Sequence, residues 1–135
     1  RMVRVRVNQH FFRAAVLAAY EHKCCITGLA VPELLVASHI VPWADDPKQR
    51  MNPRNGLCLN ALHDRAFDRR LMFFDQDLKV RFRPELKSRA DRDGLEWLLA
   101  YEGQLLRLPR KFRPDLALIH SHATNCQSDR LPPYA

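Results

Sequence analysis

The chain has 135 residues, 47% of them hydrophobic and 27% charged, and its 22 Lys and Arg against 15 Asp and Glu give a net charge of +7. That length fits one compact domain with a real core. The positive balance favours a polyanionic partner, though the same charge also serves plain solubility. No apolar run approaches the ~18 residues of a membrane span, and no signal peptide is visible at the start. The opening RMVRVRV lacks an initiator Met and reads as part of something longer. Cys24, Cys25, Cys58 and Cys126 form no CxxC pair, which excludes a zinc ribbon, and they read as reduced cytoplasmic thiols.

Val3, Val5 and Val7 alternate with Arg4 and Arg6, the period of a strand with one basic face. Asn8 then stands as the cap of a helix from about Gln9 to His22. Phe12, Val16 and Ala19 line its apolar face with Phe11, Ala15 and Ala18 beside them, and both phenylalanines are expected in the core. Thr27-Gly28 and Pro32 mark a turn. Leu34 to Ile40 reads as a short buried strand, and Pro42 ends it. Residues 43–54, with Asp45, Asp46, Pro47, Asn52 and Pro53, form a polar loop. Asn55 to Leu59 is extended, and Ala61 to about Arg70 is helical. Phe67, Trp43 and Trp97 are expected in the core.

Leu71 to Phe74 and Leu78 to Phe82, joined by Asp75-Gln76-Asp77, make a hairpin. On its second strand Leu78, Val80 and Phe82 face one way, and Lys79, Arg81 and Arg83 the other. A further helix from about Arg92 to Gln104 buries Leu95, Leu98 and Leu99. Beyond Pro109 the pattern is weak, and Ser121 to Ala135, polar and Pro-containing, is expected to be mobile. There are no internal repeats. The chain is thus expected to be one α+β domain, 1–135, with a strand and helix at 3–22, a central motif at about 25–77 and an extension at 84–135.

Strand, loop, strand and helix bring chemistry-bearing residues to set places. His39 closes the first strand and Asn55 opens the second. Asp64 lies near the start of the helix and Asp68 four residues further, on the same helical face. Two convergent carboxylates repel by a few tenths of a kcal/mol unless a cation or arginine relieves them. Arg65 and Arg69 are available. Hard divalent cations favour such oxygen ligands, and Mg²⁺ needs only one or two from protein. Each residue also has a plainer reading: His39 as a hydrogen-bonded strand-end histidine, Asn55-Gly56 as a turn, and the two aspartates as partners of arginines on their own helix. His63 reads equally as a ligand or phosphate contact and as a packed helix residue.

Three segments, SHIVPW (38–43), PRNGLCLNALHD (53–64) and FDRRLMFFD (67–75), together resemble the HNH endonucleases of the ββα-metal superfamily. The likeness is to the restriction-type branch whose motif ends in H-x-x-F-D or D-x-x-F-D, and it covers roughly Cys25 to Asp77. It implies a ββα-metal core with flanking helices and a small hairpin. It also implies metal-dependent hydrolysis of DNA phosphodiesters, leaving a 5′-phosphate and a 3′-hydroxyl. His39 matches the first His, the general base. Asn55 matches the central Asn, which braces the loop in some members. Asp64 occupies the place of the last His, a metal ligand in many members, with His63 just before it. Asp68 matches the Asp of the F-D pair. Where many members place a metal-binding acid or His before the first His, this chain has Ser38, a weaker ligand. Structural CxxC pairs found in some relatives are missing.

The catalytic candidates are therefore His39, Asn55 and His63. Asp64, Asp68 and Ser38 are the candidates for holding Mg²⁺ or Mn²⁺, with Zn²⁺ or Ni²⁺ ranked behind. Arg54, Arg65, Arg69, Lys79 and Arg81 are candidates for holding nucleic-acid phosphates. The expected partner is double-stranded DNA, with target choice supplied by another domain of a restriction or phage-defence protein; a homodimer stays open. Two rivals remain: a nucleic-acid-binding module of the same fold that does not cut, and a structural domain holding zinc through Cys24, Cys25, Cys58 and His63. His10, His22, His120 and His122 carry no evident chemistry.

Overall fold

The computed structural model describes residues 2–42, 47–89 and 92–128. Along the chain run α1 (Met2–Ala19), β1 (Leu35–His39), β2 (Gly56–Asn60), α2 (Ala61–Asp68), β3 (Met72–Phe74), β4 (Val80–Phe82), α3 (Pro84–Lys87), α4 (Arg92–Leu99) and α5 (Leu116–Ser128). β1 and β2 pair antiparallel, Leu35 opposite Asn60 and His39 opposite Gly56. α2 starts directly where β2 stops. The expected α+β class, with a ββα core and a small hairpin (β3 and β4), is met. Among the described residues, no helix is long and apolar enough to cross a membrane.

Local sequence explains the join between β2 and α2. Asn60 closes the strand in extended backbone and caps the helix: its Oδ1 accepts from the amides of Leu62 (3.1 Å) and His63 (3.0 Å). A side-chain cap of this kind is worth about 1 kcal/mol. All five residues of β2 are buried, because α1 covers it. The approach is close at Gly56, where a Cβ would lie 2.5 Å from Val16 Cγ2 and 2.9 Å from Phe12 Cζ. Glycine stands there for space, so Asn55-Gly56 is more than a turn signal.

The N-terminal reading is corrected. Residues 3–7 are the opening of α1 rather than a strand, and Asn8 lies inside the helix rather than capping it. Three valines cost a helix only about half a kcal/mol each. Neither two-stranded sheet takes this segment as a third strand: β1 pairs with β2 and β3 with β4. α1 stops at Ala19, short of the expected His22, and Glu21 and His22 turn left-handed, with φ of 56° each. Phe12 is in the core as expected, but Phe11 is 60% exposed.

The C-terminal half differs more. α4 ends at Leu99 rather than Gln104; beyond it, Gly103 and Leu106 donate amide bonds to Val80 and Leu78, extending the hairpin's pairing. Trp97, expected in the core, is 46% exposed, and Trp43 lies outside the described residues. Residues 121–128, expected to be mobile, belong to α5, which packs on β3 and buries Ile119, His122, Ala123 and Cys126. That stripe has helical spacing, but two of its four members are His and Cys, so it does not read as apolar.

Candidate active site

His39 sits at the end of β1, half-buried, with its ring stacked on Phe12 of α1, centroids 4.0 Å apart and planes 3° from parallel. Its Nε2 lies 3.2 Å from the carbonyl of Arg50. A carbonyl only accepts, so neutral His39 carries its proton on Nε2 and keeps the lone pair on Nδ1. Burial holds its pKa below the ordinary histidine value, partly offset by the Arg50 carbonyl. The imidazole is thus neutral near physiological pH and is gripped by a ring and a backbone oxygen. His39 and Asp68 line one cleft of about 50 Å³, together with Phe67, Arg70, His122 and Asn125.

The second acid is coupled to the first. Asp64 is half-buried on α2 and accepts a hydrogen bond from the hydroxyl of Ser38, the residue before His39. Burial raises the Asp64 carboxyl; the Ser38 bond and Arg65 oppose this, while the charge of Asp68, one turn away, adds to it. The structure therefore pairs His39 with Asp68 in one cleft and Ser38 with Asp64 beside it, with the two acids one turn apart on α2. Ser38 itself is only 4% exposed, and its hydroxyl donates a hydrogen bond to Asp64 that orients the carboxylate.

Asn55 is fully buried and spends its amide on the loop between the strands. Oδ1 accepts from the amide of Val41 at 2.9 Å, and Nδ2 donates to the carbonyls of Val41 (3.1 Å) and Gln49 (3.3 Å). Asn55 is therefore a brace, and its partner Gln49 is the residue before Arg50, whose carbonyl holds His39. His63 falls away from the cleft. It is fully buried, with Nδ1 accepting from Asn60 at 2.8 Å and Nε2 donating to the Leu98 carbonyl at 3.2 Å. Trp97 and Tyr101 close over it, with ring centroids at 5.1 and 5.5 Å. Both ring nitrogens are committed, so His63 is corrected from candidate catalytic group to core residue.

Residues 24–75 match the profile of the family described as HNH endonuclease. That segment, from Cys24 to Asp75, is thus similar to the family. Among solved structures it is similar to one titled "Modification dependent TagI restriction endonuclease", with a TM-score of 0.54 and 20% identity. The likeness covers 89% of this chain but 38% of that one; at this identity it speaks to the fold. No curated protein matches the chain.

The donor set at this site can be tested against a cation. Among the described residues no three His, Cys, Asp or Glu side chains gather as a metal cage. A zinc site, which takes three or four such ligands, does not fit. The pair Asp64 and Asp68 does fit Mg²⁺ or Mn²⁺, which take one or two carboxylates and fill the remaining positions with water and substrate oxygens. The rival zinc set is packed as core: Cys24, Cys25 and Cys58 are buried free thiols. Burial pushes the Cys58 thiol up to about 12 and Cys25 well above its ordinary value.

Of the basic candidates, Arg65 is exposed and Arg69 half-buried, both beside the carboxylates at α2. Arg54 is exposed, but its Nε donates to the carbonyl of Arg113 at 3.0 Å, tying the β1–β2 loop to the segment before α5. On the hairpin Lys79 is exposed, whereas Arg81 pairs with Asp75 at 2.8 Å, and Arg83 is buried against Glu85. The expected basic strand face is thus mostly spent on internal pairs. Sequence reasoning missed the cleft wall from α5, His122 and Asn125, and the guanidinium of Arg70. Nothing local marks them, since their role depends on where a distant helix docks.

Proposed function

We propose that this HNH domain is a divalent-metal-dependent endonuclease that hydrolyses double-stranded DNA, with His39 as its general base. The observation that carries the reading is the His39 contact: Nε2 lies 3.2 Å from the Arg50 carbonyl, which assigns the proton to Nε2 and leaves Nδ1 basic, in a cleft shared with Asp68. In the proposed reaction Nδ1 takes a proton from water as the water oxygen attacks phosphorus. The bond to the 3′ oxygen breaks, and that oxygen takes a proton from solvent, leaving a 3′-hydroxyl and a 5′-phosphate. A positioned base of this kind contributes about 10²–10⁴ in rate. Asp64, oriented by Ser38, and Asp68 would hold the cation, which when bound supplies positive charge against that developing on the phosphate and the leaving oxygen. Phe12 and Asn55 keep the base in place. Arg65 and Arg69 hold the flanking phosphates.

The resemblance to a modification-dependent restriction enzyme of greater length supports a further step. This chain would be the cutting part of a restriction or phage-defence protein, with target choice made elsewhere. Four buried free thiols are consistent with a reducing, cytoplasmic setting. The test is plasmid DNA incubated with the chain and Mg²⁺ or Mn²⁺, beside His39→Ala and a chelator control. Cleavage that falls at least 100-fold in His39→Ala while duplex binding persists supports the enzyme. Binding without cleavage in wild type makes it the non-cutting module instead.

A further inference from the structure

Resting on that reading, we infer that Arg70 is a substrate-contacting residue, a guanidinium that grips the DNA phosphate entering the His39 cleft. Its backbone is the starting point. Arg70 has φ of +61°, the left-handed region where a side chain is strained and glycine is not. It sits just past α2, where its amide donates to Phe67 and the amide of Leu71 donates to Ala66, at 3.1 and 2.8 Å. That pair of bonds is the helix-ending motif whose left-handed position is most often glycine. Glu21, His22, Leu78 and Phe112 share the left-handed region, but of these residues it is Arg70 that lines the His39 cleft.

What arginine gains is its place. The residue lines the same cleft as His39 and Asp68, and its charge reaches His122 on the opposite wall. A strained residue in a cleft with a base and an acid is where strain is retained for function. The chemistry suits the substrate: a guanidinium offers parallel N–H donors that match phosphate oxygens bidentately, with a charge that never titrates away. The neighbouring acid, Asp68, is the group proposed to face a cation, so Arg70 and that cation would flank one phosphate from two sides.

The test uses the whole chain and the substitutions Arg70→Gly, Arg70→Lys and Arg70→Ala, with His39→Ala in parallel. Thermal melts, salt titrations of duplex binding and cleavage kinetics are recorded for each. Arg70→Gly should hold or raise Tm, by up to about 4 °C, because it relieves the left-handed strain. It should lose about 10- to 100-fold in kcat/KM, the worth of one charge-assisted bond. Its log–log salt slope for binding should flatten by about 0.9, one phosphate contact. Arg70→Ala should lose activity and slope with no gain in Tm, whereas Arg70→Lys should keep the slope and recover part of the rate. Arg70→Gly with wild-type slope and rate overturns the inference, as does a Tm drop in Arg70→Gly that accounts for its lost activity. If His39→Ala cuts as well as wild type, or if wild type does not cut, the enzymatic reading fails; the salt slope still decides whether Arg70 touches phosphate.

Discussion

Substitution of Asn55 separates a brace from a reacting group. The side chain is fully buried and makes three hydrogen bonds, to the Val41 amide and to the Val41 and Gln49 carbonyls. Truncation in Asn55→Ala strands those backbone groups; Val41 and Gln49 are half-buried, so water recovers part of the loss. At about 1 kcal/mol per bond and somewhat more for each group left unsatisfied, the cost is about 2–4 kcal/mol. With a urea m-value of about 2 kcal/mol/M, the midpoint falls by about 1–2 M. Asn55→Asp has the same shape but sets a carboxylate against two carbonyl oxygens, so at neutral pH it should be less stable than Asn55→Ala. Its buried carboxyl has a folded pKa raised above the unfolded value. The penalty is therefore absent below the unfolded pKa, near 3.9, and grows as pH rises through the folded one. The difference between the two variants should shrink on acidification, when a protonated Asp can donate again. Cleavage should fall in both, because the Gln49 carbonyl adjoins the Arg50 carbonyl that fixes His39. The reasoning is refuted if Asn55→Ala abolishes cleavage with an unshifted urea midpoint, which would put Asn55 at the reacting atoms. Asn55→Asp as stable as wild type at neutral pH would refute it equally.

Three other outcomes are expected. Because burial lowers the His39 pKa, the acid limb of kcat/KM should lie below pH 6.5, and a limb at or above that value in the free enzyme would contradict the geometry. Gly56→Ala would push a Cβ into Val16 Cγ2 at 2.5 Å and should cost about 1–3 kcal/mol; adding Val16→Ala should recover part of that, a non-additivity read in urea melts. His122 is buried on Phe67 and its pKa is lowered to about 4, first by burial. The unfolded chain therefore binds a proton that the folded one refuses between pH 6.5 and 4. Stability should fall by about 3 kcal/mol on acidification through that window, and His122→Gln should flatten the slope.

The ββα core was legible because its signals are local. The apolar segment at Leu35–His39, the buried run at Gly56–Asn60 and the cap at Asn60 each act within a few residues. The acids at Asp64 and Asp68 then fall on one face by helical spacing alone. The Val-Arg alternation at 3–7 misled because period two reports only what a segment would do if a sheet edge were offered. His63 misled for a related reason: sequence places it beside Asp64, but on a helix adjacent residues point about 100° apart. Asp64 stays half-buried beside Ser38, and His63 goes to the core. Trp97 and Phe11 show the limit of reading large aromatics as buried, since burial is decided by which helix faces find partners.

The motif by itself does not complete the site. Residues 24–75 supply His39, the carboxylates, Asn55 and the Arg50 carbonyl, but the ring that orients His39 is Phe12, from α1. The far wall of the cleft is His122 and Asn125, from α5. α5 is fastened there by the His122 Nε2 bond to the Phe67 carbonyl at 3.0 Å, with the two rings stacked at 3.7 Å. That contact is made at Phe67, the residue before Asp68, and both line the cleft. Loosening α5 should therefore reach Asp68 before it reaches Asp64, and acid, by protonating His122, would loosen it below the range in which His39 is a base. On this arrangement the flanking helices set where the chemistry can work, while the family motif sets what chemistry it is.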